Sequence, residues 1–205
     1  MHSKNATLAY MKLQRPVSRQ PIPNTAKKVF AGKIFDVYQW QQKMFDGTYE
    51  VFEKVKRPDS VIVFGVFDNG DILLTKQAQP GKQAFIGAAG GIVDDGEDIL
   101  LAAKRELLEE TGYEAEHFEL WHSEQPSSKI EWAVYVFIAK GLKKVAEQHL
   151  DAGEKIQTMR VPFTEFLEIG LRPDFYEKEI VKFIYQAKID PDYYDSLRNL
   201  FSAAY

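Results

Sequence analysis

The stretch Gly91–Tyr113, GIVDDGEDILLAAKRELLEETGY, places a dense set of carboxylates on a helical pattern and decides the fold of the chain. Apolar residues recur at helical spacing from Ile99 onward, and acidic residues precede them, where the positive end of a helix dipole attracts negative charge. Gly112 stands where a left-handed cap commonly ends a helix. The pattern predicts one helix over Glu97–Thr111.

Two glutamates of this helix lie beside its apolar stripe. At about 100° per residue, Glu106 and Glu110 project close to the directions of Ile99 and Ala103. An ionised carboxylate in a poorly solvated place requires a cation, either a basic side chain such as Arg105 or a metal ion. The chain has no cysteine, and carboxylate oxygens favour Mg²⁺ or Mn²⁺ over zinc. A solvated acidic helix with i,i+4 ion pairs is the alternative that the spacing leaves open.

The spacing of glycines, acids and arginine in this stretch resembles the signature of the Nudix hydrolases, G-x5-E-x7-R-E-U-x-E-E-x-G-U, where U is apolar or aromatic. Every fixed position is met between Gly91 and Tyr113, a segment we call the Nudix box. The resemblance implies a loop–helix–loop that holds divalent cations and cleaves a nucleoside diphosphate linked to another group. The roles that it implies are metal ligation by the carbonyl of Gly90 and by Glu106 and Glu110, a further ligand or a base at Glu109, and a brace between Glu97 and Arg105.

The composition limits the class of protein. The 205 residues are 45% hydrophobic, enough for one sizeable core with a small annex. A formal net charge of −4 gives no nucleic-acid footprint, since nucleic-acid binders display a concentrated basic face. No apolar run approaches the length of a membrane span. The absence of cysteine excludes disulfides and favours a reducing compartment, so we expect a cytoplasmic protein.

The first 35 residues carry seven basic residues and no acid, whereas the rest of the chain carries 19 basic and 30 acidic residues. A processed targeting segment would also be basic, but arginines are sparse here and Pro16, Pro21 and Pro23 interrupt the segment. We therefore favour an extended arm on an acidic partner surface, or a flexible terminus.

An aromatic hairpin is predicted after this arm. Two alternating runs within Val29–Val55 flank Asp46-Gly47, a dipeptide typical of tight hairpin turns. A β annex in this place resembles the branch of the family that hydrolyses ADP-ribose and nucleotide sugars, whose members are dimers with the annex exchanged or packed across the two-fold axis. The resemblance implies a homodimer, with an arm and annex over residues 1–57 and a Nudix domain over residues 58–205.

Candidate substrate-binding residues lie outside the Nudix box. Trp40 of the annex is a candidate for stacking on the base, as are Phe45 and Tyr49, and filling the hairpin core is the alternative. Gln79 stands where members of this branch resemble one another in having an arginine, which reaches the substrate phosphates or ribose. Pro126 lies in a loop where ADP-ribose hydrolases resemble one another in having a proline, although Pro126 comes about two residues before the position of that proline. Because Gln79 carries no charge, the candidates for supplying the positive charge in its place are Lys76, Lys82 and Arg57.

A short acidic loop before the last predicted strand completes the candidate site. A water molecule that attacks a diphosphate needs a proton acceptor, and Gly153 gives this loop freedom to bend over bound substrate. The loop resembles the one that carries the catalytic glutamate in ADP-ribose hydrolases. The resemblance implies Glu154 as general base or as ligand to an additional metal, with Asp151 as second candidate. The alternative is that both are exposed turn acids.

The predicted fold is α/β. The resemblance specifies a Nudix α/β/α sandwich, with a mixed sheet over residues 60–161 between the box helix and the C-terminal helices, plus a small N-terminal β-strand annex. The strands predicted in the main sheet are Ser60–Phe67, Ile72–Gln77, Phe118–Ser123, Ile130–Ala139 and one that reaches Val161. The predicted C-terminal helices are Glu165–Ile169, Asp174–Lys188 and Asp192–Ala203.

The function implied by the resemblance is Mg²⁺-dependent hydrolysis of a nucleoside diphosphate sugar, with Mn²⁺ as a possible substitute. ADP-ribose is the first expected substrate, and AMP and ribose 5-phosphate are the products. The alternatives are a hydrolase of GDP-mannose or another sugar nucleotide, and a catalytically silent nucleotide-sugar sensor. The complete set of box carboxylates argues against the sensor, since a binder has no physical need for all of them.

Overall fold

The computed structural model describes residues 13–202 of the chain, so the first part of the basic arm and the end of the predicted last helix lie outside the described residues. The described strands are β1 (Lys27–Ala31), β2 (Asp36–Lys43), β3 (Tyr49–Lys56), β4 (Ser60–Val66), β5 (Ile72–Ala78), β6 (Phe85–Gly87), β7 (Ala89–Ile92), β8 (Tyr113–Glu124), β9 (Ile130–Glu131), β10 (Val134–Lys144) and β11 (Lys155–Val161). The helices are α1 (Ile99–Thr111), α2 (Phe163–Ile169), α3 (Val181–Ile189) and α4 (Pro191–Leu200), with a 3-10 turn at Lys178–Ile180.

The main sheet is mixed and contains seven strands. Its order is β11-β5-β4-β10-β8, with β6 paired to β5 and β7 paired to β4. β10 runs parallel to β4 and antiparallel to β8. Six consecutive residues of β4, from Val61 onward, are buried, as expected for a central strand that is covered on both faces.

Helices cover both faces of this sheet. On one face, Ala103 and Leu107 of α1 are buried together with Val61 and Tyr135 of the sheet. The other face is covered by α2, α3 and α4, whose buried residues form one cluster with β4, β5 and β10. Because each helix buries a single apolar stripe against the sheet, the result is three layers. The predicted α/β/α sandwich with a mixed sheet is confirmed.

The annex is a second sheet of four strands in the order β1-β2-β3-β9. β2 and β3 form the predicted hairpin, with Gly47 at a φ of 89° in its turn. The fourth strand, β9, comes from the loop after β8 and pairs in parallel with β3. The annex therefore shares hydrogen bonds with a later part of the chain, and the domain boundary at residue 57 stays a prediction.

A charged cluster around the buried Lys54 joins the arm to the annex. The ammonium of Lys54, whose side chain is only 1% exposed, donates to Ser18 Oγ at 2.7 Å, to the carbonyl of Gln20 at 2.6 Å and to Glu131 Oε2 at 2.7 Å. Arg15 donates to the other oxygen of Glu131 at 2.7 Å. Residues 15–20 thus lie against the annex as a strap that ionic contacts hold in place.

The structure corrects the start of α1 and the strand predicted over Ile130–Ala139. α1 begins at Ile99 and not at Glu97, because the side chain of Asp98 caps it by accepting from the backbone N–H groups of Leu100 and Leu101. The predicted strand is divided, because β9 pairs with the annex while the next strand begins at Val134 in the main sheet.

The helix predicted over Asp174–Lys188 is also corrected, and this correction affects the site. Residues 174–177 lie alongside β6: Ile86 N–H donates to the Asp174 carbonyl, and Tyr176 N–H donates to the Ile86 carbonyl, at 2.9 and 2.8 Å. These hydrogen bonds to β6 replace the hydrogen bonds that the first helical turns would have made. The helix α3 therefore begins only at Val181. None of the helices described within residues 13–202 is long and apolar enough to cross a bilayer.

Candidate active site

A cavity of about 1000 Å³ opens between α1, the strands β4 to β7, the loop before β11 and residues 176–179. It is large enough for a nucleotide-sized ligand. Its walls combine carboxylates, a few cations and aromatic rings. The charged and polar residues that line it are Arg57, Ser60, Gln77, Gln79, Lys82, Asp94, Arg105, Glu106, Glu109, Glu110, His149, Asp151, Glu154, Glu177, Lys178 and Glu179, and its aromatic residues are Phe85, Trp132 and Tyr176.

Glu110 is the most deeply placed carboxylate of α1. It is 5% exposed, and its Oε2 accepts the Gly90 N–H at 3.0 Å. Burial, together with the nearby charges of Glu106 and Glu154, raises the pKa of Glu110 to about 9, although the hydrogen bond from Gly90 opposes the shift. A carboxyl group in this condition is stabilised as an anion only when a cation joins it.

Glu106 lies one helical turn before Glu110 on the same side of α1. Burial raises its pKa, an effect that the neighbouring Arg105 opposes and that the charges of Glu109 and Glu154 add to. A Cβ atom at Gly91 would lie 2.4 Å from Glu106 Oε1. A side chain at position 91 would therefore displace the Glu106 carboxylate from its place beside β7.

Arg105 and Glu97 form the predicted contact across the box. Nε and Nη2 of Arg105 donate to the two carboxylate oxygens of Glu97, each at 2.9 Å, and Nη1 donates to Glu106 Oε1 at 2.7 Å. Nη2 also donates to the Ile92 carbonyl at 3.0 Å. The Arg105 hydrogen bond lowers the pKa of Glu97 despite partial burial. The bidentate pair holds the loop of the box against the helix.

Glu109 occupies a more exposed position on α1 than Glu106 and Glu110. Its side chain is 42% exposed and lies 3.3 Å from Arg105 Nη1. The carbonyl of Glu109 accepts the backbone N–H of His149 at 2.9 Å, and the side-chain amide of Gln148 donates to the carbonyl of Glu110. These backbone contacts tie the acidic loop to the helix.

The acidic loop brings Glu154 to the same cavity as the box carboxylates. Glu154 N–H donates to the Asp151 carbonyl at 2.9 Å, which forms a turn at the end of the loop. Both side chains line the cavity, and the charge of Glu154 contributes to the raised pKa values of Glu106 and Glu110. The loop and the helix therefore contribute acids to one space, although they are distant in sequence.

The oxygen donors at this place fit a divalent cation. Within residues 13–202, no three acidic or histidine side chains already form a metal-binding group, and Glu106 is paired with Arg105. However, three carboxylates act on one another across the cavity, and the buried one, Glu110, has no basic side chain bonded to it. Crowded carboxylates without a cation are costly, and hard cations such as Mg²⁺ prefer oxygen ligands.

The predicted substrate-binding residues are only partly brought together. Arg57 and Gln79 line the cavity, whereas Trp40 and Pro126 do not. The prediction that Trp40 stacks on the base is corrected, because its ring is 6% exposed and lies 6.1 Å from that of Phe52 in the annex. Pro126 is exposed and is not among the residues that line the cavity, so its contact with substrate stays a prediction. Phe45 and Tyr49 are exposed at the tip of the hairpin.

Several cavity residues lay beyond the reach of sequence reasoning. Trp132 carries the Arg57 guanidinium 4.7 Å above its ring and donates from Nε1 to Ser60 Oγ at 3.1 Å. Glu177 is buried and accepts the Ala88 N–H at 3.0 Å, and burial raises its pKa to about 8. Sequence reasoning placed residue 177 within a helix. No local signal in the sequence distinguished Trp132 from the other aromatic residues of the predicted strands.

Comparison with known proteins agrees with the fold and the box. The sequence matches the NUDIX domain family over residues 56–183. It is 30% identical over 154 residues to an ADP-ribose pyrophosphatase of Bacillus subtilis (strain 168), which covers 74% of this chain and 83% of that protein. It is 24% identical over 176 residues to the ADP compounds hydrolase NudE of Escherichia coli (strain K12), which covers 82% and 91%.

A solved structure of an ADP compounds hydrolase has the same fold. It superposes with a TM-score of 0.67 and 21% sequence identity, and the match covers 84% of this chain and 95% of that one. The family match spans most of the chain and includes every residue of the Nudix box. The chain belongs to the Nudix family and is a Nudix hydrolase, which confirms the prediction made from the spacing of its glycines, glutamates and arginine.

Proposed function

We propose that this enzyme hydrolyses the diphosphate linkage of a nucleoside diphosphate sugar with Mg²⁺, and that ADP-ribose is the first substrate, giving AMP and ribose 5-phosphate. The observation that carries the proposal is the convergence of Glu106, Glu110 and Glu154 on one cavity of about 1000 Å³. The similarity to an ADP-ribose pyrophosphatase and to an ADP compounds hydrolase supports an adenosine compound.

Glu106, Glu110 and the Gly90 carbonyl would hold the cation, and Glu109 is an additional ligand at the open side of the cavity. Nudix hydrolases generally need divalent metal ions. When bound, such a cation neutralises charge on the diphosphate and lowers the pKa of the attacking water. The Gly90 N–H supports this ligand set from the chain itself, because it holds Glu110 Oε2 at 3.0 Å.

Glu154 is the residue that we propose as general base. It is half-buried at the cavity wall, and a proton acceptor must lie within hydrogen-bond reach of the attacking water. Its loop is tied to α1 through the His149 N–H and the Glu109 carbonyl, so the acceptor keeps its place relative to the box. Arg105 and Glu97 serve as positioning residues, because their bidentate pair orients Glu106.

Arg57 and Gln79 are the substrate-binding residues of the original prediction that the proposal retains. The Arg57 guanidinium is supported by the face of Trp132 and by a 3.2 Å hydrogen bond to Ser60 Oγ. Its Nε is buried without a hydrogen-bond partner, which is costly for a charged group unless a ligand supplies an acceptor. We assign this donor to the nucleotide.

The annex supports a homodimer, as the resemblance implied. Its strands and turns expose large apolar side chains, including Phe30, Phe35 and Val51, each more than 40% accessible. Several large apolar side chains exposed on one small sheet are typical of an interaction site. We propose that a second copy of the chain covers it. The absence of cysteine supports the cytoplasm as the compartment.

A substrate panel tests the proposed function. The purified protein is incubated with Mg²⁺ and ADP-ribose, GDP-mannose, UDP-glucose, dinucleotides or modified dNTPs, and the released monophosphate is measured. ADP-ribose should be hydrolysed with the highest kcat/KM, and excess chelator should abolish the activity. Preferred hydrolysis of GDP-mannose would reassign the base and sugar, whereas no hydrolysis of any compound would indicate a silent binder.

A further inference from the structure

One lysine at the cavity has its charge held by two aromatic rings. Nζ of Lys82 lies 4.0 Å from the ring centroid of Phe85 and 3.9 Å from that of Tyr176. The two rings lie 4.6 Å apart with an interplanar angle of 32°. All three residues line the cavity. Cation–π contacts of this kind reduce the freedom of an exposed lysine, so less entropy is lost when a ligand binds it.

The guanidinium of Arg105 is already paired with acidic side chains of the box, whereas the ammonium of Lys82 has no acidic partner among the described residues. Arg57 is supported by Trp132. Within residues 13–202, Lys82 forms no salt bridge and its ammonium donates no hydrogen bond to the protein. Its ammonium keeps all three N–H donors for a ligand.

The position of Lys82 relates it to Gln79. The backbone N–H of Lys82 donates to the Gln79 carbonyl at 3.1 Å, which closes a turn in which Gly81 has a φ of 74°. Gln79 also lines the cavity, but its side chain carries no charge. A positive charge three residues later in the same turn therefore faces the cavity that Gln79 faces.

We propose that Lys82 binds the diphosphate of the substrate, with Phe85 and Tyr176 as the residues that position its ammonium. The proposal rests on the proposed function, because it requires a substrate with a diphosphate linkage. An ammonium is a compact charge with three donors, which suits non-bridging phosphate oxygens. The ring contacts keep the charge at the cavity wall, although the lysine itself is exposed.

Equilibrium binding of ADP, AMP and adenosine, measured by calorimetry in Mg²⁺ buffer, tests the proposal without turnover of ADP-ribose. Lys82→Met should weaken ADP binding about 10-fold, the lower range for losing one charge-assisted hydrogen bond. Adenosine binding should be unchanged, and AMP binding should fall by less than ADP binding. Lys82→Arg should restore most of the ADP affinity. Tyr176→Leu should weaken ADP binding by a smaller factor than Lys82→Met.

The matched control is Lys104→Met. Lys104 is also exposed and also lies over an aromatic ring, 5.7 Å from the centroid of Phe118, but it does not line the cavity. This variant should bind all three ligands as the wild type does. The proposal is overturned if wild-type protein does not bind ADP, if Lys82→Met leaves ADP binding unchanged, or if adenosine binding falls equally. A protein that binds ADP through Lys82 but hydrolyses no compound of the panel would refute the proposed function alone.

Discussion

At the scale of single residues, the site depends on carboxylates that the fold places in unfavourable surroundings. Glu110 is nearly buried, and apart from the Gly90 N–H its nearest donor is the Gln77 amide at 3.5 Å. A carboxyl group whose pKa is higher in the folded chain than in the unfolded chain favours folding at low pH, and this contribution is lost as the pH rises. At neutral pH, Glu110 therefore lowers the stability of the metal-free protein, which agrees with its proposed role as a ligand to a cation.

Glu110→Gln should separate these two effects. The turnover number should fall by at least two decades, equivalent to about 3 kcal/mol of transition-state stabilisation. The metal-free variant should unfold at a temperature equal to or above that of the wild type, because the raised pKa of Glu110 no longer penalises folding. Steady-state kinetics measures the turnover number, and thermal unfolding in chelator measures the unfolding temperature of the metal-free protein. Full activity in the variant would remove Glu110 from the metal site.

Glu154→Gln tests the base. A general base contributes in the transition state rather than in substrate binding, so kcat should fall by about two to four decades while KM changes little. Asp151→Asn is the neighbouring control, since Asp151 lines the same cavity but is more exposed. If Asp151→Asn or Glu109→Gln removed kcat and Glu154→Gln did not, the base would have to be reassigned to that residue.

At the scale of elements, the unit formed by β7 and α1 positions the side chains that we propose as metal ligands. Gly90 and Gly91 of β7 each lie close to a different neighbour: a Cβ atom at Gly90 would clash with the Val61 carbonyl oxygen of β4, and one at Gly91 would meet the Glu106 carboxylate of α1. Gly112 ends the helix in the left-handed conformation at a φ of 72°. Asp98 begins it through its side-chain cap. Both ends of the helix are thus determined locally.

Asp98→Ala should destabilise the protein by about 1 kcal/mol, since an unfilled cap leaves helical N–H groups without a partner. For a chain of this size, that loss lowers the melting temperature by about 2–4 °C. Asp95→Ala is the control, because Asp95 is also exposed and precedes the helix but does not cap it. Equal melting temperatures for the two variants would contradict the role of the cap.

At the scale of the whole molecule, charged contacts join the arm, the annex and the main sheet. Glu131 accepts from Lys54 and from Arg15, and Asp59 accepts the other donors of Arg15. The same segment leads to Trp132 and Arg57 at the cavity wall. The annex is therefore connected to the site through Glu131 as well as through the chain.

Glu131→Gln should lower the free energy of unfolding by about 3–5 kcal/mol, because it leaves the buried Lys54 ammonium without its carboxylate. Partial burial opposes ionisation of Glu131, but the hydrogen bonds from Lys54 and Arg15 lower its pKa from 4.5. Its contribution is therefore present at neutral pH and is lost as the pH falls below about 4.5 and through the lower folded-state pKa.

Urea unfolding of both proteins at pH 7 and at lower pH measures this difference. The difference in unfolding free energy should shrink as the solution is acidified. Glu119→Gln, at an exposed position of β8, should have little effect at either pH. A difference for Glu131→Gln that is independent of pH would show that packing, rather than charge, holds the cluster.

The homodimer belongs to this scale too. Phe30→Ser and Val51→Ser, combined, change two exposed residues of the annex sheet and should convert a dimer into a folded monomer in light scattering. The control is Ile189→Ser, which changes an apolar residue of α3 that is 83% exposed. A wild-type monomer with full activity at enzymatic concentrations would contradict the proposed dimer.

The sequence by itself determined the parts of this protein that depend on short-range geometry. Glu106 and Glu110 share the side of α1 that carries Ala103, because helical periodicity places them there. The structural roles of the box glycines could be predicted for the same reason, because a close approach of the backbone to other atoms and a left-handed helix end both favour residues without a side chain. The resemblance of its loop also pointed to Glu154, which lines the cavity, and its role as base stays a prediction.

Only the tertiary structure decided which distant residues form the rest of the cavity. Trp40 and Trp132 are both aromatic residues in predicted strands, and nothing in the local pattern shows which one faces the site. Residues 174–177 have an apolar pattern that suits a helix, yet pairing with β6 places Tyr176 and Glu177 in the cavity. Helix propensity amounts to only a few tenths of a kcal/mol per residue, so backbone hydrogen bonds to a strand distant in sequence outweigh it. This pairing cannot be predicted from the local sequence, because it forms only when the chain folds.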